Sequence, residues 1–310
     1  MTVVHMSRKA AGYGCAFGHH GELLQGIFRP NEASPAACVR GLLTLPCSLF
    51  WCKARFIPGT GQNRGVLVHP PDKIKARCAA EHALRRLGMP QAGRLDIVSN
   101  IPSRRGLGSS TADVTAAIRA VFDCYGEPAS ESQVARLAVA AETASDATMF
   151  WRGPASPAVL FAQREGRVIE TFSGPLPPLI TLGFDAVPRA AGVDTLGLPL
   201  PVYSAAEADE FEVLRALVRR GILTGDSALI GQAATRSAMI NQRYLPTPGF
   251  EQWIEVGATH DAVGAQVAHS GTVVGLLFDP RAGGTPQRLA KARARLAKLG
   301  VQRVWQWRVS

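Results

Sequence analysis

Pro102-Ser-Arg-Arg-Gly106-Leu-Gly108-Ser-Ser-Thr111 is the stretch from which the fold can be inferred, because of the patterns on either side of it. Residues 94–101 alternate between apolar and polar side chains, which predicts a half-buried strand. Residues 109–125 are rich in alanine and valine and predict a helix. The stretch therefore predicts a breaker-rich loop that joins the end of a strand to the start of a helix.

This loop has the composition of a phosphate-binding site. Its two glycines let the backbone approach a ligand closely and present successive N–H groups. The helix that follows directs its N-terminal amides at a bound anion. The two serines add hydroxyls, and Arg104 and Arg105 add positive charge. The loop is neither a Walker A motif, which needs a lysine after its glycine, nor G-x-G-x-x-G. A glycine turn with an ordinary serine N-cap is the alternative.

Composition and charge narrow the class of protein. The chain has 310 residues, of which 46% are hydrophobic and 19% charged. These values exclude a disordered or fibrous chain, and the length suits two domains. The 34 basic residues exceed the 24 acidic ones, and the net charge of +10 favours an anionic ligand. The arginines are dispersed and aromatic residues make up 7% of the chain, so the basic and aromatic interleaving of single-strand nucleic-acid binders is missing.

The six cysteines indicate a reducing compartment. No two of them form a C-x-x-C pair, which argues against a disulfide scaffold and against a cysteine zinc site. No run of about 18 apolar residues is long enough to span a bilayer, and residues 1–14 show no signal-peptide pattern. We therefore expect a cytoplasmic protein that has no membrane partner.

Strand and helix patterns mix along the whole chain and predict an α+β or α/β fold. Strands are predicted at 41–51, 94–101, 158–162, 179–184 and 301–309, with a hairpin through 165–166 and a glycine-flanked segment at 264–278. Helices are predicted at 74–87, 109–125, 133–149, 205–220, 226–241, 249–259 and 286–299. A proline-broken loop is predicted at 188–201. The proline- and glycine-rich segment 173–178 predicts a boundary between an N-terminal domain, 1–174, and a C-terminal domain, 175–310.

Two acidic residues lie downstream of the loop at helical spacing. Glu142 and Asp146 are four residues apart, so the predicted helix 133–149 would place both carboxylates on one face. Magnesium prefers oxygen ligands and usually takes one or two carboxylates, so a carboxylate must complete a site that begins with Ser110. An exposed helix face is the alternative for this pair, and Asp113, a rival acid, could simply complement the helix dipole.

Three motifs make the chain similar to a known family. Residues 102–111 match P-x-x-x-G-L-G-S-S-[AT], the phosphate-loop signature of the GHMP kinases, which are ATP-dependent small-molecule kinases. Residues 21–26, GELLQG, and 268–275, AHSGTVVG, resemble motifs of the L-threonine kinase branch of this family. The three motifs stand in the family's order, so the resemblance covers essentially the whole chain. Residues 16–20, AFGHH, depart from the Cys-Pro-Gly type of opening usual in that branch, which leaves the acceptor open.

The resemblance implies a two-domain α+β fold. The N-terminal domain would share the fold of domain 2 of ribosomal protein S5, and the C-terminal domain would be ferredoxin-like. ATP and the acceptor would meet in the cleft between the two domains. The implied activity is ATP- and Mg²⁺-dependent phosphorylation of the side-chain hydroxyl of a small amino acid, with L-threonine giving O-phospho-L-threonine.

The resemblance also implies roles for individual residues. The ATP phosphates would be bound by Arg105, Gly106, Leu107, Gly108, Ser109, Ser110 and Thr111. Mg²⁺ would be held by Ser110 and Glu142, and Asp146 would accept a proton from the acceptor hydroxyl or polarise it. The acceptor would be bound by Glu22, Gln25, His20, His269 and Ser270. Among these, the carboxylate of Glu22 suits an ammonium group, and the amide of Gln25 suits a hydroxyl or a carboxylate.

His19 and His20 invite a metal interpretation that the sequence does not support. No third ligand at suitable spacing is visible, and adjacent side chains on a strand point to opposite faces. We therefore expect no zinc site at this pair. For His269, a structural role as a hydrogen-bonded histidine in a turn is as good an interpretation as a role at the acceptor.

Several functions stay open on the sequence alone. A homoserine-kinase-like enzyme or another small-alcohol kinase fits the unusual residues 16–20. A basic RNA-binding protein on an S5-like fold and a pseudokinase that only senses ATP also stay possible. The intact loop and the two acids favour a kinase. We therefore expect ATP and a small hydroxy amino acid as ligands and no nucleic acid, and a homodimer is left open.

Overall fold

A mixed sheet of ten strands runs through the computed structural model, which describes residues 9–30, 38–59, 65–186, 197, 199–269 and 271–309. The strands are β1 Gly12–Phe28, β2 Val39–Pro58, β3 Gly65–His69, β4 Ala92–Ser99, β5 Val159–Ala162, β6 Arg167–Thr171, β7 Leu179–Asp185, β8 Gly264–Val267, β9 Val273–Phe278 and β10 Val304–Val309. The main path is β10-β7-β9-β8-β1-β2-β4-β3, and β5 branches from β2 to pair with β6. The β3–β4 pair is parallel, and the other pairs are antiparallel.

Seven helices and one short 3-10 helix pack against this sheet in the described residues. The helices are α1 Ile74–Arg86, α2 Ser109–Cys124, α3 Glu131–Glu142, α4 Ala205–Thr224, α5 Ser227–Asn241, α6 Phe250–Thr259 and α7 Thr285–Lys298, and the 3-10 helix is Ala147–Phe150. Strands and helices mix in both halves of the chain, as the sequence predicts.

Helix α2 forms the centre of the N-terminal half because its small apolar residues allow close packing. Most of its residues are buried. The helix lies directly on β1, where a side chain at Gly14 would come within 2.1 Å of the carbonyl oxygen of Ala116. This contact fixes the position of α2, and with it the loop that precedes the helix, relative to β1.

The C-terminal half joins the same sheet rather than forming a separate one. Strand β8 pairs with β1 through Glu22 and Val267. The largest cluster of buried apolar residues contains side chains from both halves, among them Leu24 of β1, Phe211 of α4 and Trp307 of β10. The predicted boundary at residue 174 falls between β6 and β7, in a sheet that continues across it. The two-domain division itself stays a prediction.

Most predicted elements are present, and two of them end at the wrong residue. The strand predicted at 41–51 continues to Pro58 as part of β2. The helices predicted at 74–87 and 109–125 and the hairpin at 165–166 agree with α1, α2 and the β5–β6 pair. The helix predicted at 133–149 ends at Glu142, because Thr143 adopts φ +72 and interrupts the helical path. The loop predicted at 188–201 lies in large part outside the described residues.

The sequence also predicts cysteines that form no disulfide and no helix that spans a membrane. Cys15, Cys38, Cys47, Cys52, Cys78 and Cys124 are free thiols. Within the described ranges, the helices are too short or too polar to cross a bilayer.

Candidate active site

A cleft of about 780 Å³ opens between the predicted loop, the N terminus of α1, the segment after α3 and strand β1. Most of the residues singled out from the sequence line it. They include Glu22, Gly106, Leu107, Gly108, Ser109, Ser110, Thr111, Glu142, Asp146 and His269. The cleft therefore brings together residues from four separate parts of the chain.

The loop leaves the start of α2 available to an anion. Gly106 and Gly108 both adopt positive φ, at 69° and 72°, so that the chain turns sharply into the helix. No side chain caps α2, and its first turn holds no acidic residue. The first amides of the helix therefore lack the side-chain partner that an ordinary N-cap supplies. This arrangement favours phosphate binding over the alternative of a serine N-cap.

Glu142 lies under the loop with three hydroxyl groups directed at it. Ser110 Oγ donates to Oε2 at 2.6 Å, and Thr111 Oγ1 and Ser145 Oγ donate to Oε1 at 2.8 and 2.6 Å. Burial raises the pKa of this carboxyl to about 7, although the three hydroxyl groups oppose the shift. The oxygens of Ser110 and Glu142 are adjacent at the edge of the cleft, and these are the hard ligands that Mg²⁺ prefers.

Asp146 reaches the same cleft by a route that differs from the prediction. It does not share a helix face with Glu142, since α3 has already ended, and it precedes the 3-10 helix instead. Its backbone N–H donates to Thr111 Oγ1 at 3.2 Å. This bond ties the turn to the first residues of α2. A side chain from α2, rather than helical spacing, therefore holds Asp146 beside the phosphate loop.

His19 is the site residue that the sequence analysis missed. Its Nε2 lies 3.0 Å from Asp146 Oδ2, and its side chain is 2% exposed. Burial by itself would lower the pKa of His19, but Asp146 raises it to about 9. Burial by itself would raise the pKa of Asp146, and the charge of His19 brings it below its ordinary value. The pair is therefore an imidazolium and a carboxylate at neutral pH.

His20, which the resemblance places at the acceptor, points away from the cleft. Its Nδ1 lies 2.6 Å from Gln266 Nε2, and its ring packs against Trp307 with centroids 4.5 Å apart. Burial lowers its pKa to about 3, so the ring is neutral. His20 does not line the cleft, because adjacent side chains at this point of β1 face opposite sides and His19 faces the cleft. The assignment of His20 to the acceptor stays a prediction.

Glu22 is a buried carboxyl group whose charge is only partly compensated. It is 2% exposed, and neither oxygen accepts a hydrogen bond from a side chain among the described residues. Burial raises its pKa to about 8, although the charge of His19 and the backbone of His269 oppose the shift. Oε1 lies 3.8 Å from Nδ1 of His19. Ionising such a buried carboxyl group is costly, and a cationic ligand would lower that cost.

The remaining predicted acceptor residues lie in or beside the cleft. His269 lines it together with Glu22. Gln25 does not line it, but it lines a small adjoining cavity that shares Glu22 and His269, and its backbone is bonded to Ser237 and Asn241 of α5. Ser270 lies outside the described residues.

Two charged residues near the loop form ion pairs. The guanidinium of Arg105 pairs with Asp185 of strand β7 at 2.9 Å and does not line the cleft, whereas its neighbour Arg104 does. Asp113 pairs with Lys73 at 2.6 Å, and both of these residues line the cleft. The role of Arg105 at the phosphates stays a prediction.

The fold also supplies the third ligand-type residue that the histidine pair lacks in sequence. His19, Glu22 and Asp146 place one ligand-type atom each within 4.8 Å of one another. The two imidazole nitrogens nevertheless face different carboxylates, one at 3.0 Å and the other at 3.8 Å. Such a set could hold a metal ion through one imidazole nitrogen, and the 3.0 Å contact with Asp146 also fits an ion pair with a protonated imidazole.

A helix start that is open to an anion, with acidic side chains across a shared cleft, fits a small-molecule phosphotransferase. Comparison with known proteins agrees. A model of the family described as GHMP kinases N terminal domain matches residues 74–153. The chain is 30% identical over 212 residues to the L-threonine kinase of Salmonella typhimurium, across 68% of this chain and 67% of that relative. It is 31% identical over 189 residues to the L-threonine kinase of Citrobacter freundii, across 60% of this chain and 62% of that relative.

A solved structure supports the fold. The homoserine kinase of Cytophaga hutchinsonii superposes with a TM-score of 0.71 and 14% identity, across 100% of this chain and 97% of that one. The chain belongs to the GHMP kinase family. The predicted α+β kinase fold and the class of ATP-dependent phosphotransferase are thereby confirmed, and the roles of individual residues stay predictions.

Proposed function

We propose that this protein transfers the γ-phosphoryl group of ATP to the side-chain hydroxyl of a small hydroxy amino acid, with L-threonine as the acceptor and O-phospho-L-threonine and ADP as the products. The observation that carries the proposal is the position of Asp146 and Glu22 in one cleft with the phosphate loop. The similarity to two L-threonine kinases supports the choice of acceptor.

The phosphate end of the cleft would bind and neutralise ATP. The uncapped amides at the start of α2 would hold the phosphate oxygens, and Arg104 on the cleft wall would add positive charge. Ser110 and Glu142 would hold Mg²⁺, which neutralises phosphate charge when it is bound. Glu142 already has oxygen-rich surroundings, which fit such an ion.

The acceptor end would orient and deprotonate the hydroxyl. Asp146, kept ionised by His19, would take the hydroxyl proton as the oxygen attacks the γ-phosphorus and the bond to the β–γ bridging oxygen breaks. Glu22 would bind the ammonium group of the amino acid, and that cation would return Glu22 to its ionised form. Gln25 and His269 would close the acceptor side.

The proposal also covers the setting of the reaction. Six free thiols fit a reducing compartment, and we place the protein in the cytoplasm. Its ligands would be ATP and the hydroxy amino acid, with neither nucleic acid nor a membrane as a partner, and a homodimer is compatible with this role.

An ADP-release assay tests the proposal with L-threonine, L-serine, L-homoserine and a simple alcohol as acceptors. We expect turnover to be highest with L-threonine. Asp146→Asn and Ser110→Ala should each lower kcat by at least about 100-fold. Asp96→Asn, which removes a carboxylate from a solvent-facing pair with Arg94, is the control and should leave kcat unchanged. ATP binding without turnover of any hydroxy amino acid would overturn the proposal, and a preference for homoserine would replace the acceptor.

A further inference from the structure

Arg164 is a positive charge on the wall of the cleft that has no assigned role. It lies in the turn between β5 and β6, half-buried, and it lines the cleft. Its guanidinium makes no hydrogen bond or ion pair with any described residue. Arg167, in the same hairpin, is by contrast paired with Glu165. A half-buried cation without a partner in a ligand cleft is a candidate for ligand binding.

The register of the sheet places Arg164 at the acceptor end of the cleft. Strand β5 pairs with β2 through Phe161 and Leu42, and Leu42 lies opposite Gln25 of β1. Three residues beyond Phe161, the turn reaches Arg164. The pairing of β5 with β2 and of β2 with β1 thus brings the turn near the strand that carries Glu22 and Gln25, and Arg164 and Glu22 line the same cleft.

A backbone hydrogen bond joins this turn to the segment that holds the reacting carboxylate. Ser145 N donates to the carbonyl oxygen of Gln163 at 2.9 Å. Asp146 directly follows Ser145 in the sequence, and Arg164 directly follows Gln163. The bond thus fixes the base of Arg164 beside Asp146.

The charge of Arg164 reaches the acceptor residues. Burial lowers the pKa of His269 below its ordinary value, and the positive charge of Arg164 contributes to that shift. Glu22 is a buried carboxyl group in the same cleft, and a bound ammonium would favour its ionised form. The acceptor end thus offers a guanidinium, a carboxyl group and a base, which complement the carboxylate, the ammonium and the hydroxyl of an α-amino acid.

We propose that Arg164 binds the α-carboxylate of the acceptor and thereby restricts the enzyme to zwitterionic hydroxy amino acids. The inference rests on the proposed function and adds the residue that recognises the α-carboxylate of the acceptor. A guanidinium matches a carboxylate with two parallel hydrogen bonds, and such charge-assisted pairs are among the strongest in proteins. Amino alcohols that lack the carboxylate would bind through Glu22 alone.

The test compares L-threonine with 1-aminopropan-2-ol, which is threonine without its carboxylate. In the wild-type enzyme, kcat/KM for L-threonine should exceed that for the amino alcohol by about 100-fold, the value of one charge-assisted bidentate contact. Arg164→Ala should abolish this preference by lowering kcat/KM for L-threonine, with kcat/KM for the amino alcohol and the KM for ATP unchanged. Arg164→Lys keeps the charge but not the fork of hydrogen bonds and should retain part of the preference.

Arg167→Ala is the matched control, because Arg167 lies in the same hairpin but is exposed and paired with Glu165. It should keep the full preference. If Arg164→Ala raises the KM for ATP and leaves the preference intact, the residue binds phosphate and the inference is wrong. If the wild-type enzyme phosphorylates no hydroxy amino acid, the proposed function fails and the inference fails with it, and this outcome is already visible before any variant is measured.

Discussion

At the scale of single residues, the buried contact between His19 and Asp146 decides how the site handles the proton of the acceptor. Asp146 is in a position to accept that proton only while it is ionised. Burial opposes its ionisation, and His19 at 3.0 Å reverses this effect. The ring of His19 also lies against Gly108 of the phosphate loop, so one side chain contacts both ends of the site.

We expect His19→Phe to lower kcat by about 10- to 100-fold, because the ring volume remains while the cation is lost. Without that cation the pKa of Asp146 rises, so activity on the acidic side should fall at a higher pH than in the wild-type enzyme. The KM for ATP should not change. The measurement is kcat against pH from 5 to 9, with His82→Phe on α1, away from the site, as the control. An unchanged acidic limb in His19→Phe would show that Asp146 does not depend on His19.

Glu22 is a residue at which binding and stability conflict. Its pKa is raised from an ordinary value of 4.5 to about 8, so the folded state binds a proton that the unfolded state releases. Between these two values the free energy of unfolding therefore falls as the pH rises. Glutamine does not titrate and carries no such dependence.

Glu22→Gln should therefore raise the free energy of unfolding at pH 8.5 by about 2 kcal/mol, and by much less at pH 4.5. The same change should weaken acceptor binding, because the ammonium loses its counter-charge. Urea unfolding at the two pH values, together with the KM for L-threonine, tests both expectations. A variant that is less stable than the wild type at both pH values would show that Glu22 is paired in solution.

At the scale of the element, the loop and helix α2 form a unit whose geometry depends on glycine at one position. Gly108 adopts φ +72, and a Cβ there would lie 2.5 Å from Cδ2 of His19. Gly88 has almost the same φ, +70, but a Cβ there would meet nothing within 4 Å. Comparing substitutions at these two glycines therefore separates the cost of backbone strain from the cost of a steric clash with His19.

Gly88→Ala should therefore lower the free energy of unfolding by about 1 kcal/mol and leave kinetics unchanged. Gly108→Ala should cost at least as much stability and should also lower kcat/KM for ATP by more than about 10-fold, since the loop and His19 must both move. Thermal unfolding and initial rates for the two variants provide the comparison. Equal kinetics in both would mean that His19 does not constrain the loop.

The same element shows what the sequence could and could not predict. The phosphate loop and α2 were predictable because glycine spacing and an alanine-rich helix are local signals. The end of α3 was not, because Thr143 leaves the helix to let Asp146 bond with Thr111, a contact 35 residues away in sequence. The choice between His19 and His20 needed the face of β1 that meets the cleft, and Arg164 needed the pairing of β5 with β2. These positions depend on tertiary contacts that no local pattern records.

At the scale of the whole molecule, the two predicted domains share one sheet and the larger of two clusters of buried apolar residues, while the second cluster belongs to the C-terminal half. Strand β1 pairs with β2 on one side and with β8 on the other. Phe28 of β1 packs against Phe211 of α4 with ring centroids 5.8 Å apart, and His20 of β1 packs against Trp307 of β10. Removing residues 175–310 would expose this apolar face of β1 to water.

We therefore expect the chain to unfold in one cooperative step, although a chain of 310 residues with two predicted domains could unfold in two. Tryptophan fluorescence tests this directly, since Trp51 and Trp151 report on the N-terminal half and Trp253 on the C-terminal half, whereas Trp305 and Trp307 contact residues of the N-terminal half. Variants that keep only Trp51 and Trp151, or only Trp253, with phenylalanine at the other tryptophan positions, should give urea midpoints that agree within about 0.2 M with each other and with far-ultraviolet circular dichroism. A fragment of residues 1–174 should not fold alone. Two separate midpoints, or a folded fragment, would instead show that the halves are independent domains that meet only to form the cleft.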